Sequence, residues 1–145
     1  MVDAGLALQV NIGYLTQKHT GPISVFVVPN PSKVKECVAE VKRQIALWDS
    51  ADYLTDDQIE TAKRMLEISQ VKDEEITSNF VHTISFWWAS ASIDYLNTYI
   101  ENLRKVNRAD LQEYVRKYIK NKPYVAGMLI STPGKAQLKP EEFFK

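Results

Sequence analysis

The hydrophobic periodicity of the chain changes twice, and the order of those changes restricts the fold. In residues 6–14 apolar and polar side chains largely alternate, which is the period of a half-buried strand. Residues 23–28, Ile-Ser-Val-Phe-Val-Val, have the composition of a second strand, and a Gly-Pro pair lies in the segment between them. The two segments therefore predict an antiparallel hairpin at the start of the chain.

After residue 30 the apolar residues recur at helical spacing, and cap signals mark where helices begin. Asparagine caps helices and proline is tolerated in the first turn, so Asn30 and Pro31 predict a helix that ends near Trp48. Thr55 and Gln58 have the spacing of a capping box, and we expect the helix that they begin to bend and continue through 73–84. Its predicted inward residues are Ile59, Ala62, Met65 and Leu66. Further helix starts are predicted near Ser92 and at Asn107 with Asp110.

A continuous apolar segment, residues 124–130, follows the last of these helices and suits a central strand covered on both faces. Because strands at both ends of the chain must share one interior with the helices, we expect this segment to return beside the hairpin. The order of elements predicts an α+β fold, with an antiparallel-rich sheet packed on a layer of several helices. We assign 1–135 to a single domain, expected to be a fragment of a longer chain, and 136–145 to a polar tail.

Composition argues against several classes of partner. Lys+Arg and Asp+Glu each number 18, so the formal net charge is zero and no field of one sign would attract nucleic acid. No apolar run approaches the roughly 18 to 20 residues that a membrane-spanning helix needs. Cys37, the single cysteine, has apolar neighbours at helical spacing and is predicted to be a small buried hydrophobe. We expect a soluble chain with no nucleic-acid partner and no membrane span.

Catalytic groupings are missing from the sequence. His19 and His82 are the only histidines, and no His-x-x-Glu-His motif or its reverse surrounds either of them. Serine never occurs in a Gly-x-Ser-x-Gly setting, and Cys37 lies on the predicted buried face of its helix. The acidic pair Asp56-Asp57 falls at a helix start, where carboxylates meet the positive end of the helix dipole. We therefore predict no catalytic, cofactor-binding or metal-ligating residue in this chain.

Several segments resemble one known family. They are Gly5-Leu-Ala7 at the start of the alternating strand, the strand 21–28, the helix start at 54–64, and the closing run 103–112 followed by Tyr124-Val-Ala-Gly127. Together they are similar to the second half of a domain of the pitrilysin and insulinase family of zinc metallopeptidases, which the mitochondrial processing peptidases share. The resemblance extends over nearly the whole chain.

This resemblance implies a function for the chain. It would be the non-catalytic C-terminal domain of a zinc-dependent metalloendopeptidase, which helps to enclose peptide substrate and packs against the catalytic domain or subunit of the same family. The zinc would be held by the N-terminal domain of the parent or by a partner subunit, and this chain would hold no cofactor. A bacterial periplasmic or secreted parent is one expectation, although the sequence does not fix the compartment.

Two positions of the family pattern differ in this chain. Active members supply an arginine and a tyrosine near the substrate carbonyl. The arginine position falls on Met1 and the tyrosine position falls on Leu8, whose side chain cannot donate a hydrogen bond. Either the parent uses a different clamp, or the chain is an inactive scaffold or partner subunit that serves protein–protein assembly. A helical binding module unrelated to peptidases is a third interpretation.

Overall fold

The chain is α+β, as the order of its sequence patterns predicts. A computed structural model describes residues 1–139 and 143. Strands β1 (Ala7–Tyr14) and β2 (Ile23–Pro29) form the predicted antiparallel hairpin. The helices that follow are α1 (Val34–Leu47), α2 (Asp56–Glu75), α3 (Thr77–Ser90), α4 (Ile93–Lys105), α5 (Arg108–Tyr118) and the short α6 (Thr132–Leu138).

The register of the hairpin separates an apolar face from a mixed one. Val10 lies opposite Val27 and Ile12 lies opposite Val25, so these four side chains share one face of the sheet. Phe26 lies on the other face, because successive residues of a strand point to opposite sides. The hairpin therefore presents a row of β-branched side chains to whatever packs against it.

The cap signals at Thr55 and Asn107 are confirmed, whereas Asn30 caps a single 3-10 turn (Pro31–Lys33) that leads into α1. Thr55 Oγ1 accepts a hydrogen bond from the Gln58 N–H at 3.2 Å, and Gln58 Oε1 accepts one from the Thr55 N–H at 2.9 Å. Asn107 and Asp110 form the same reciprocal arrangement before α5. The predicted bend lies at Ile76, whose extended backbone separates α2 from α3.

Helix α5 is held against the α1–α2 loop by polar contacts. Arg108 donates from Nη1 to the Ala51 carbonyl at 3.1 Å and from Nη2 to Asp56 Oδ1 at 2.6 Å. Lys120 Nζ donates to Asp49 Oδ1 at 2.5 Å in the same loop. Contacts from both ends of α5 thus fix the position of the α1–α2 loop, which leads into α2.

The buried core is small and takes one or two residues from each of several elements. Its members are Ala7, Val34, Cys37, Ile59, Leu96 and Val115. Cys37 is almost completely enclosed, which confirms the expectation of a buried hydrophobe.

The predicted inward face of α2 is right at Ile59 and wrong further along the helix. Ile59 is buried, whereas Ala62, Met65 and Leu66 are exposed. The polar side of α2 faces α4 instead: Lys63 Nζ donates to the Arg104 carbonyl at 3.1 Å. Helical spacing identifies an apolar side of α2, but it does not identify which side of the helix meets a neighbouring element.

The predicted third strand is wrong. In the described part of the chain the sheet contains β1 and β2 alone, and residues 124–130 form neither strand nor helix. Val125 and Leu129 are fully exposed. After α5 the chain turns through Asn121, which has a left-handed backbone (φ 58°), and the residues that follow pair with neither strand of the hairpin. An apolar run indicates that a segment needs cover, but it does not say which surface supplies it.

The domain boundary predicted after residue 135 falls inside helix α6, which spans Thr132–Leu138. Of the predicted polar tail, residues 140–142, 144 and 145 lie outside the described residues.

Candidate functional site

The chain exposes far more surface than a compact protein of its size. Its accessible surface is 10,962 Å². A folded monomer of 16.6 kDa exposes about 7,600 Å² by the usual scaling of surface with mass, which leaves about 3,400 Å² in excess. Large hydrophobic side chains are exposed on the hairpin, on α2 and α3, and on the segment after α5. Extended apolar patches of this kind mark surfaces that bind other molecules.

The part of this surface with the shape of a binding site is an apolar groove between the hairpin and α1. Its volume is about 290 Å³. One wall is the β-branched face of the hairpin and the other is the facing side of α1, with Val10, Ile12 and Val25 on the first and Val41, Ile45 and Trp48 on the second. We call these six residues and the space between them the α1 groove.

A chain of hydrogen bonds fixes one rim of the α1 groove. Trp48 Nε1–H donates to the Tyr53 hydroxyl oxygen at 3.1 Å, and the Tyr53 hydroxyl donates to Gln44 Oε1 at 2.7 Å. Gln44 Nε2 donates to Glu40 Oε1, and the Arg43 guanidinium donates to both carboxylate oxygens of Glu40, each bond at 2.7 Å. These bonds hold the indole ring and the loop after α1 in one orientation.

The same bonds change the acidity of the carboxyl group at the end of this network. Hydrogen bonds from Arg43 and Gln44 lower the pKa of Glu40 from its usual 4.5 to about 2. Glu40 therefore stays ionised at any physiological pH, and its carboxylate continues to accept the hydrogen bonds from Arg43 and Gln44.

The outer end of the α1 groove is open. Ile12 is 55% exposed although it lies on the apolar face of the hairpin. Tyr14, at the tip of β1, is also exposed and lies close enough to α5 to affect Tyr114. Burial raises the pKa of Tyr114, and the phenols of Tyr14 and Tyr118 raise it further. The groove thus begins in a fixed polar rim and ends in uncovered apolar side chains.

The two positions singled out by the family resemblance lie in different surroundings. Met1 lines the α1 groove, and its carbonyl accepts a hydrogen bond from the Leu6 N–H at 3.0 Å. Leu8 lies at the irregularity in the β1–β2 register between Ala7 and Gln9, where its side chain is exposed. Neither side chain can donate a hydrogen bond to a substrate carbonyl.

The histidines and the cysteine lie on separate elements. His19 is in the hairpin loop and His82 is on the exposed side of α3. Within 1–139 and 143, no group of three or more His, Cys, Asp or Glu residues could hold a metal ion. Burial raises the pKa of the Cys37 thiol, which keeps the thiol protonated and unreactive.

A second concavity, of about 410 Å³, is polar and open. It is lined by Asp52, Asp56, Asp57 and Arg108, together with Leu54 and Thr55. Arg108 is already engaged with Asp56, and the aspartates lie in or beside the first turn of α2, as the sequence predicts. Since the same arginine holds α5 to the loop, this concavity is explained by the packing of the helices.

Sequence reasoning missed the α1 groove, since its walls come from segments separated by the hairpin loop and the turn before α1. The signal available was the alternation in β1, which predicts a covered face without identifying its cover. None of the helices in the described residues has the length and apolar character needed to cross a membrane. Comparisons with protein-family models, with curated proteins and with solved structures find no match to this chain.

Proposed function

We propose that this chain is the non-catalytic C-terminal domain of a zinc-dependent metalloendopeptidase of the pitrilysin and insulinase type. In this proposal the α1 groove and the exposed side chains around it pack against the zinc-bearing domain, and the assembled pair encloses peptide substrate. The observation that carries the proposal is the open apolar groove in a chain with an excess of accessible surface. The sequence segments that resemble the family supply the identity of the partner.

The groove has the physical character of a domain interface. Stable interfaces have an apolar centre and a polar rim, and their strongest contributions come from aromatic residues in fixed orientations. Trp48 meets this description, because its indole N–H is bonded to Tyr53 and its ring lines the groove. Ile12 and Val25 extend the apolar wall out to solvent, where a partner would cover them.

The first test is the coding sequence that precedes Met1. The proposal expects it to encode a His-x-x-Glu-His motif, and it expects an arginine in place of Met1, immediately before Val2, in the parent chain. The zinc-bearing domain is then co-expressed with this chain, and cleavage of a quenched fluorescent peptide is measured with and without chelator. We expect cleavage that requires both polypeptides and zinc.

Two substitutions on the same hairpin test the role of the groove. Ile12→Glu places a charge on the groove wall, whereas Phe26→Glu places one on the opposite face at nearly the same exposure, 55% against 58%. We expect Ile12→Glu to weaken assembly at least tenfold, because a buried unpaired carboxylate is costly. Phe26→Glu should leave assembly within about twofold. Equal effects of the two variants, or no assembly of the unsubstituted pair, would refute the proposal.

The alternative is an inactive scaffold or partner subunit with the same fold. Leu8 and Met1 favour it, since neither offers a donor at the family's substrate-clamp positions. Assembly without chelator-sensitive cleavage would support this alternative over the peptidase. The third interpretation, a helical binding module, predicts a structure without a sheet. The β1–β2 hairpin counts against it.

A further inference from the structure

The segment 124–130 is a strand-like sequence without a partner in the described structure. It reads Tyr-Val-Ala-Gly-Met-Leu-Ile and carries no charge. Its backbone belongs to no helix or sheet, and Tyr124, Val125 and Leu129 are exposed. Short uncharged apolar segments with exposed backbone readily pair with other strands. We call residues 124–130 the free segment.

The hairpin has strand edges to which the free segment could add. Within residues 1–139 and 143 the sheet has the order β1-β2, so each strand has one outer edge without a strand neighbour. Such an edge presents backbone N–H and C=O groups that can pair with an added strand. β1 has 8 residues and β2 has 7, so either edge can accommodate the whole free segment.

Within the described residues, the free segment pairs with neither edge of its own hairpin. On its N-terminal side the chain leaves α5 through the left-handed turn at Asn121. On its C-terminal side α6 follows at once, and Lys42 Nζ on α1 donates to the Phe143 carbonyl at 2.6 Å. Both ends of the free segment therefore join elements that have their own contacts, while the segment itself lies outside the sheet.

We propose that the free segment of one copy adds as a strand to an edge of the β1–β2 hairpin of a second copy, and that the exchange is reciprocal. Each chain carries both the strand and the edge, so a twofold dimer satisfies both at once. The side chains that the exchange would cover include Val125 and Leu129, which are fully exposed in the described chain. The free segment and the sheet edges are separate from the side chains of the α1 groove, so this proposal does not depend on the proposed function.

The test uses the full chain in sedimentation velocity over about 1 to 200 μM, combined with hydrogen exchange of the amides in the free segment. We expect a dimer at the upper concentrations. In that dimer about every second amide of the free segment should be protected, because alternate N–H groups of an edge strand point toward its partner. The protection should disappear on dilution as the dimer dissociates.

Proline substitutions identify the contact. Val125→Pro and Ala126→Pro each remove one N–H, and neighbouring N–H groups point to opposite sides of a strand, so at least one variant should raise the dimer dissociation constant tenfold or more. Ala126→Ser keeps the N–H and should leave the constant within about twofold. Both sites are exposed, so the fold of the monomer should tolerate the changes.

Three results would overturn the proposal. They are a monomer at every concentration, amide protection in the free segment that does not depend on concentration, and a dimer that both proline variants leave unchanged. The second result would mean that the segment pairs within its own chain.

Discussion

The burial difference along α2 leads to a quantitative prediction. Ile59 is 7% exposed and Ile68, on the same helix, is 54% exposed. Truncating a buried isoleucine to alanine costs about 2 to 5 kcal/mol, from lost transfer free energy and from the cavity that remains. At Ile68 about half of the side chain is already in water and no closed cavity forms, so the transfer cost is about 1 kcal/mol or less. Alanine also favours the helix by a few tenths of a kcal/mol at both sites.

We therefore expect Ile59→Ala to lower the free energy of unfolding by about 2 to 4 kcal/mol and Ile68→Ala to lower it by less than about 1 kcal/mol. The assay is urea unfolding followed by tryptophan fluorescence and by circular dichroism, because agreement of the two signals tests two-state behaviour. With so small a core, a loss of this size is a large part of the total stability. Equal losses at the two sites would show that the start of α2 does not pack as described.

Three further predictions concern a cap, a carboxylate and a thiol. Thr55→Ala should destabilise by about 1 kcal/mol in the same urea assay, whereas Thr61→Ala, at an exposed interior site of α2, should change stability by less than about 0.5 kcal/mol. The pKa of Glu40 is lowered to about 2. The ionised carboxylate therefore stabilises the fold above pH 4.5, and this contribution is lost as the pH falls toward 2. Glu40→Gln should flatten the dependence of Tm on pH between these two values. Cys37 should resist a thiol reagent in the native chain and react at the rate of unfolding, and rapid native labelling would contradict its burial.

The parts of the fold that were predictable from sequence are the local ones. The hairpin follows from an alternating segment and a second strand-like segment on either side of a loop with a Gly-Pro pair, and the two segments do pair antiparallel. The caps at Thr55 and Asn107 depend on residues within one turn of each other, so the sequence contains all the information needed.

The parts that were not predictable depend on contacts between distant elements. The apolar run 124–130 has the composition of a central strand, yet its exposure depends on where α5 and the turn at Asn121 direct the chain. In α2 the apolar side was identified, but Lys63, on the polar side, contacts the Arg104 carbonyl on α4, and no local pattern predicts that contact. The rim of the α1 groove joins Gln44 to Tyr53, a pairing for which neither residue carries a sequence signal.

The most direct test of the account is hydrogen exchange of this chain with and without the zinc-bearing domain. If the α1 groove is the interface, amides of β1 around Ile12 and of α1 around Ile45 should exchange more slowly in the complex, while those of α3 around His82 should not change. Unchanged exchange at Ile12 and Ile45 in a complex that does form would contradict the assignment of the groove as the docking surface.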